Sequence, residues 1–263
     1  MTEQPHVVLK EVVRRYDGPP AVHALGPIDL AIPRGEFLSV VGPSGCGKST
    51  LLDVVCGLVR PTSGGVKFEG RELHGEVPEG VGVVFQEDSS MPWLNVRQNV
   101  AFGLRTSGLP EKDVRERVKH AVSFMGLAQF ADHYPAQLSG GMRQRVCIAR
   151  TLVLRPRLIL LDEPFGALDQ QTRLLMGDEL LRLWRETGAT VLLITHALDE
   201  AAMLSDRVGV MSARPGRFID MVETGWSRDR DSRVVADPKF GTLTSRLWTS
   251  LREESLKTMG RAA

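Results

Sequence analysis

The chain has 263 residues, 33 of them Lys or Arg and 32 Asp or Glu, and this near-neutral balance argues against a protein that coats nucleic acid, so no nucleic-acid partner is expected. No stretch approaches the roughly 18 consecutive apolar residues of a membrane span, and residues 1–30 lack the basic start and apolar core of a secretory signal. The three cysteines, Cys46, Cys56 and Cys147, form no CxxC pair and are odd in number, which disfavours a disulfide framework or zinc site and suits a reducing cytosol.

The N-terminal part reads as short strands separated by turns. Residues 7–13 and 37–41 are rich in β-branched and apolar side chains, and residues 66–68 run into the turn Glu69-Gly70. The second of these strands leads into Gly42-Pro43-Ser44-Gly45-Cys46-Gly47-Lys48-Ser49-Thr50, which fits G-x-x-x-x-G-K-[ST] between a strand and a helix. The helix is supported by Leu51, Leu52, Val55 and Leu58 at helical spacing. Glycines without Cβ let backbone N–H groups curl around phosphate oxygens, and the helix N-terminus adds partial positive charge. Lys48 is placed to reach the β- and γ-phosphates, and the Ser49 hydroxyl to coordinate Mg²⁺. Cys46 sits within this loop, so a thiol-reactive reagent is expected to inhibit.

Between residues 92 and 150 the pattern turns helical: Val114, Val118, Ala121, Val122 and Met125 share one face, and Gly126 is placed to stop that helix. Beyond it, short apolar strands at 158–162, 191–195 and 207–211 alternate with a helical segment around 170–186, which implies βαβ units and a parallel sheet buried on both faces. The strand at 158–162 ends in Asp162-Glu163; the first acid can hold Mg²⁺ and the second can orient and deprotonate a water. From about residue 225 the chain reads as a mixed-charge linker, Arg228-Asp229-Arg230-Asp231, followed by a helix with the apolar stripe Phe240, Leu243, Leu247 and Leu251, expected to fold back on its own domain.

Leu138-Ser139-Gly140-Gly141 followed by Met142-Arg143-Gln144-Arg145, just upstream of Asp162-Glu163, opens a second helix with free N–H groups and a hydroxyl suited to an anion. This order of elements resembles the ABC ATPases. The resemblance covers about residues 7–224 and implies an α/β P-loop NTPase fold: a RecA-like parallel core, an N-terminal antiparallel β subdomain and a helical subdomain inserted at about 91–154. The ATPase domain is then expected over 1–224 and a linker with a helical tail over 225–263. The resemblance also implies that Tyr16 stacks on adenine, that Gln86 touches Mg²⁺ and links to a membrane partner, that Ala167-Leu168-Asp169 meets the opposite subunit, and that His196 contacts the γ-phosphate. Two copies are expected to face each other head to tail, each ATP lying between the phosphate loop of one and Ser139, Gly140 and Gly141 of the other.

Residues 91–104 and 211–218 further resemble the nitrate/sulfonate/taurine importer subfamily, with Ala197 standing where that subfamily often carries Asp. The resemblance implies permease subunits in the inner membrane, an extracytoplasmic substrate-binding protein, and a peripheral position on the cytoplasmic face. A lipid-trafficking ABC system would share the same catalytic set and is the alternative.

Overall fold

The computed structural model describes residues 5–86, 89–166, 168–258 and 260. Ala167, named above with Leu168 and Asp169, lies outside the described residues. The N-terminal half runs through β1 (Val7–Tyr16), β2 (Val22–Ile32), β3 (Phe37–Val41), α1 (Lys48–Val55), β4 (Ser63–Phe68), β5 (Arg71–Glu72) and β6 (Val81–Val84). Helices α2 (Val96–Ala101), α3 (Glu111–Phe124) and α4 (Gly140–Leu152) follow. The chain then alternates through β7 (Leu158–Asp162), α5 (Gln170–Thr187), β8 (Thr190–Ile194), α6 (Leu198–Leu204), β9 (Arg207–Met211) and β10 (Phe218–Glu223), and ends in α7 (Pro238–Thr258).

Two sheets result. One has the order β2-β1-β4-β5 and is antiparallel; the other has the order β10-β9-β3-β8-β7-β6 and is parallel except for β10 at its edge. In the second sheet, Phe37, Ile159, Leu161, Val191 and Leu193 face one apolar cluster, while Leu38, Val40, Leu158, Leu160, Leu192 and Ile194 face another. Neighbouring residues in a strand point to opposite faces, so a strand covered on both sides must be apolar throughout. Helices α4 to α7 cover the first face, and α1 with β1 and β2 covers the second. Each fully buried Leu, Ile or Val contributes on the order of 1.5–3 kcal/mol.

The register also sets where the strands stop. Val40 lies beside Ile194, Ile194 beside Asp162 and Leu161 beside Val84, so β3, β8, β7 and β6 end along one edge of the sheet. Loops leaving the carboxyl ends of adjacent parallel strands form the usual ligand crevice of an open α/β sheet.

The helical region packs as its periodicity implies. Val118, Val122 and Met125 are buried, Val114 and Ala121 flank them, and Gly126 at φ +66° ends the helix. Asn95 and Gln98 form a reciprocal cap on α2, and the buried Asn99 amide donates to the carbonyls of Met91, Leu94 and Asn95, fixing the 91–95 segment.

The tail packs on the same core. Phe240, Leu243, Leu247 and Leu251 are buried in the cluster that contains α5 and α6. The preceding segment differs from a solvated linker: Arg228 lies 4.2 Å from the Trp184 ring centre and Ser232 bonds Asp178, and Arg230 is the most deeply held. Arg230 is only 3% exposed, pairs with Asp206 at 2.8 Å, bonds the Leu204 carbonyl and lies 4.7 Å from the Trp184 ring centre. Trp184, wholly buried, donates its indole N–H to Gly35 O at 3.1 Å, so Arg228 and Arg230 pack over the ring that ties α5 to the turn before β3.

Candidate functional site

Residues 42–47 turn sharply out of β3 into α1. Gly45 and Gly47 have φ of +74° and +112°, conformations that side chains disfavour. A Cβ at Gly47 would lie 2.7 Å from Ala24 O, so the loop sits against β2 as well as needing the unusual backbone. Lys48 Nζ donates to Gly42 O at 2.8 Å and Pro43 O at 3.1 Å, which holds the ammonium inside the loop's own curve. Cys46 is placed differently from the expectation of a reactive thiol. Its side chain is 1% exposed and packs in the apolar cluster beneath the loop, and burial pushes the thiol pKa up. The Cys46 backbone belongs to the loop while its sulfur faces the core.

Asp162 closes β7 and is 8% exposed. Burial raises its pKa above the usual carboxylate range; a hydrogen bond with the Ser49 side chain opposes that shift, the neighbouring Glu163 charge adds to it, and Lys48 opposes it. Glu163 has φ +47°, a left-handed conformation, and its N–H is tied to Ile194 O at 2.8 Å. This bend turns its carboxylate toward the ends of β6 and β8. Gln86 Nε2 donates to Glu163 Oε2 at 3.2 Å, and His196 Nδ1 lies 3.1 Å from the same oxygen. Three residues that follow three adjacent strands therefore meet on one atom.

Behind His196 lies a group the sequence reading missed. Glu200 on α6 is 6% exposed, its Oε2 hydrogen-bonds the Thr195 hydroxyl, and that hydroxyl accepts the Ala197 N–H at 3.0 Å. Burial pushes the Glu200 pKa to about 7, against the opposing effects of the Thr195 bond and of Arg173 and His196. In the sequence it reads as one more acid on a short helix.

A cleft of about 430 Å³ joins the glycine-rich loop to Glu163; Tyr16, Ser44, Gly45, Lys48, Glu163 and Arg214 are among the residues lining it, while Asp162 and His196 stand outside its lining. Ser49, Thr50 and Gln86 line it too. Arg14 lies over the Tyr16 ring, 4.3 Å from its centre. Arg214 also lines the cleft and was missed by sequence reasoning, although it falls in the 211–218 segment. A larger cleft of about 980 Å³, lined by His120, Arg155 and Glu186 among others, contains none of the expected site residues.

The remaining expected residues stand elsewhere. Ser139 caps α4, its hydroxyl accepting the Met142 N–H at 3.3 Å. Ser139 and Gly140 are exposed, Gly141 is half-buried, and none of the three lines the cleft beside Lys48. A Cβ at Gly141 would lie 2.6 Å from the Leu168 side chain, so the start of α4 packs directly on the loop before α5. Asp169 caps α5 by accepting the Thr172 N–H at 3.0 Å, and this bonding holds its carboxyl below the usual range.

A glycine-rich loop between strand and helix, with an acidic strand end beside it in a parallel sheet, defines a P-loop nucleotide hydrolase. A family profile described as "ABC transporter" matches residues 25–166. The chain is 46% identical over 238 residues to an uncharacterized ABC transporter ATP-binding protein of Methanocaldococcus jannaschii, spanning 90% of this chain and 88% of that one. It is 40% identical over 262 residues to the taurine import ATP-binding protein TauB of Jannaschia sp., spanning 97% of each chain. A solved dimeric ATP-binding cassette in a post-hydrolysis state, bound to ADP and Pi, superposes with a TM-score of 0.75 at 32% identity over 84% of this chain and 100% of that one. The chain belongs to the ABC transporter family and is an ATP-binding, ATP-hydrolysing subunit of that family. No described helix is long and apolar enough to cross a membrane.

Proposed function

We propose that this ATPase energises import of a small anion of the nitrate, sulfonate or taurine type, acting on the cytoplasmic face of the bacterial inner membrane. The observation that carries this reading is the 40% identity with a taurine import ATP-binding protein along 97% of both chains. ATP would enter the cleft with its base on Tyr16 and its phosphates in the loop formed by Gly42, Pro43, Ser44, Gly45, Cys46 and Gly47, with Lys48, Ser49 and Thr50 at the helix start. Lys48 holds the β- and γ-phosphates. Glu163 takes a proton from the attacking water, while Gln86 and His196 fix its carboxylate from either side. The His196 ring, exposed beside that carboxylate, reaches the γ-phosphate.

Mg²⁺ fits the donor set. Asp162, Ser49 and Gln86 offer hard oxygens, and the buried Asp162 carboxylate lacks a full counter-charge. Mg²⁺ commonly takes one or two carboxylates and completes its shell with nucleotide phosphates and water, and it would neutralise charge on those phosphates.

The cleft has no signature residue of its own chain, and Ser139, with the free N–H groups of Gly140 and Gly141, lies exposed away from it. A second copy, arranged head to tail, supplies them, with Asp169 near the seam. The dimeric state of the ADP-bound cassette supports this arrangement. The further partners are permease subunits in the membrane and, through them, an extracytoplasmic substrate-binding protein.

The test is purification of the tagged chain from detergent-solubilised native membranes, with its partners identified by mass spectrometry. A permease of about five or six membrane spans together with a soluble binding protein supports the proposal. Lipid-handling partners, or no membrane partner, would overturn the importer assignment and leave the ATPase intact.

A further inference from the structure

The turn after β9 reaches back to the phosphate loop. Ser212 N–H donates to Arg217 O at 2.8 Å, closing the turn, and Gly216 exchanges backbone bonds with β2: its N–H to Ala24 O at 2.9 Å, its O from Gly26 N–H at 3.0 Å. A Cβ at Gly216 would lie 2.4 Å from Cys46 O, so the turn lies directly on the phosphate loop. From this platform Arg214 donates Nε and Nη2 to Gly45 O at 3.0 and 2.8 Å. The guanidinium presents five donors in a rigid fork, of which these bonds use one edge. The same side chain lines the cleft that contains Lys48 and Tyr16.

The turn has a second anchor. Ala213 N–H donates to Glu254 Oε2 at 2.7 Å. Glu254 is 7% exposed and lies on the last turns of α7. A continuous path of hydrogen bonds therefore runs from the C-terminal helix, through Ala213 and Arg214, to the Gly45 carbonyl.

We propose that Arg214 is a nucleotide-binding residue, setting a fixed positive charge beside the polyphosphate and bracing the phosphate loop, and that Glu254 is its positioning residue. The inference rests on the reading of the cleft as the ATP site. It gives the C-terminal helix a part in nucleotide affinity.

The test is calorimetric titration of the intact chain with ADP, which binds without turnover. Arg214→Ala is expected to weaken ADP binding about tenfold, the scale of one charge-assisted contact, and Arg214→Lys to recover part of that. Added salt narrows the gap between Arg214→Ala and the native chain. Glu254→Ala loses part of the same affinity, and Glu254→Gln, whose amide oxygen can still accept from Ala213 N–H, recovers most of it. The double variant Arg214→Ala/Glu254→Ala binds no more weakly than Arg214→Ala alone. Native affinity in Arg214→Ala, or losses that multiply in the double variant, would overturn the proposal. Should Glu254→Ala fail to fold, Arg214→Ala against Arg214→Lys decides. Lys48→Ala is the separate control: native ADP affinity there would overturn the reading of the cleft itself.

Discussion

Glu200 couples the stability of the fold to pH in a direction opposite to that of most surface acids. Its carboxyl ionises near 4.5 when solvated, whereas burial beside Thr195 moves it to about 7 in the folded chain. Below pH 4.5 the folded and unfolded states are both protonated, and the group costs nothing. As pH rises from 4.5 toward 7, the unfolded chain releases its proton and the folded chain keeps it, so stability falls; above 7 the loss is complete. At 1.36 kcal/mol per pKa unit, a shift of this size corresponds to roughly 3 kcal/mol. Glu200→Gln removes the titration. The amide also places donors where Glu200 Oε1 has no partner, at a fixed cost of about 1–3 kcal/mol. That cost does not change with pH, so the diagnostic is the slope. Between pH 5 and 8 the variant is expected to gain about 2–3 kcal/mol on the native chain, or about 4–12 °C in melting temperature for a chain of this size. Urea or thermal unfolding of both proteins at four pH values gives the difference directly, because titrating groups remote from Glu200 contribute equally to both. Stability curves that stay parallel from pH 5 to 8 would refute the reasoning.

Three other perturbations follow from the same geometry. Gly47→Ala meets both an unfavourable φ and a 2.7 Å approach to Ala24 O, so a loss on the order of 1–3 kcal/mol and a more than tenfold weaker nucleotide affinity are expected, by melting and titration. Cys46 is expected to react with Ellman's reagent only at the rate of local opening, with ATPase activity retained meanwhile; rapid labelling with loss of activity would contradict its burial. Arg230→Ala removes the buried guanidinium that bonds Asp206 and the Leu204 carbonyl, and because Asp206 keeps the Phe37 N–H and some solvent, a loss of about 1–3 kcal/mol with faster proteolysis between β10 and α7 is expected.

The parallel sheet was legible because burial on both faces leaves an unmistakable apolar run. The strands Phe37–Val41 and Arg207–Met211 coincide with the expected spans. The antiparallel sheet was less so. β2 contains Gly26-Pro27, and β1 carries register shifts between Leu9 and Val12 and again before Arg15, so its alternation is broken and the expected span stops at Val13, short of the Tyr16 end. Glu163 stood out because an apolar strand ends in it, whereas Gln86 and His196 stood out through the resemblance to the ABC ATPases. Their meeting on one carboxylate oxygen depends on strand order and register, which no local pattern encodes. Arg214 and Arg230 escaped for the same reason, their partners Gly45 and Asp206 lying far away in sequence, while Glu200 bonds the nearby Thr195 but reads as an exposed acid until the packing of α6 buries it. Arg230 is the plainest case, since two flanking acids and a nearby arginine give it the look of a solvated linker residue.

The most direct measurement compares Glu163→Gln with the native chain for ATP turnover and for mass in solution by light scattering with ATP present. We expect turnover to fall roughly 10²–10⁴-fold while ATP is retained and dimers accumulate. Near-native turnover in that variant would contradict the role given to Glu163, and with it the account of how this cleft hydrolyses ATP.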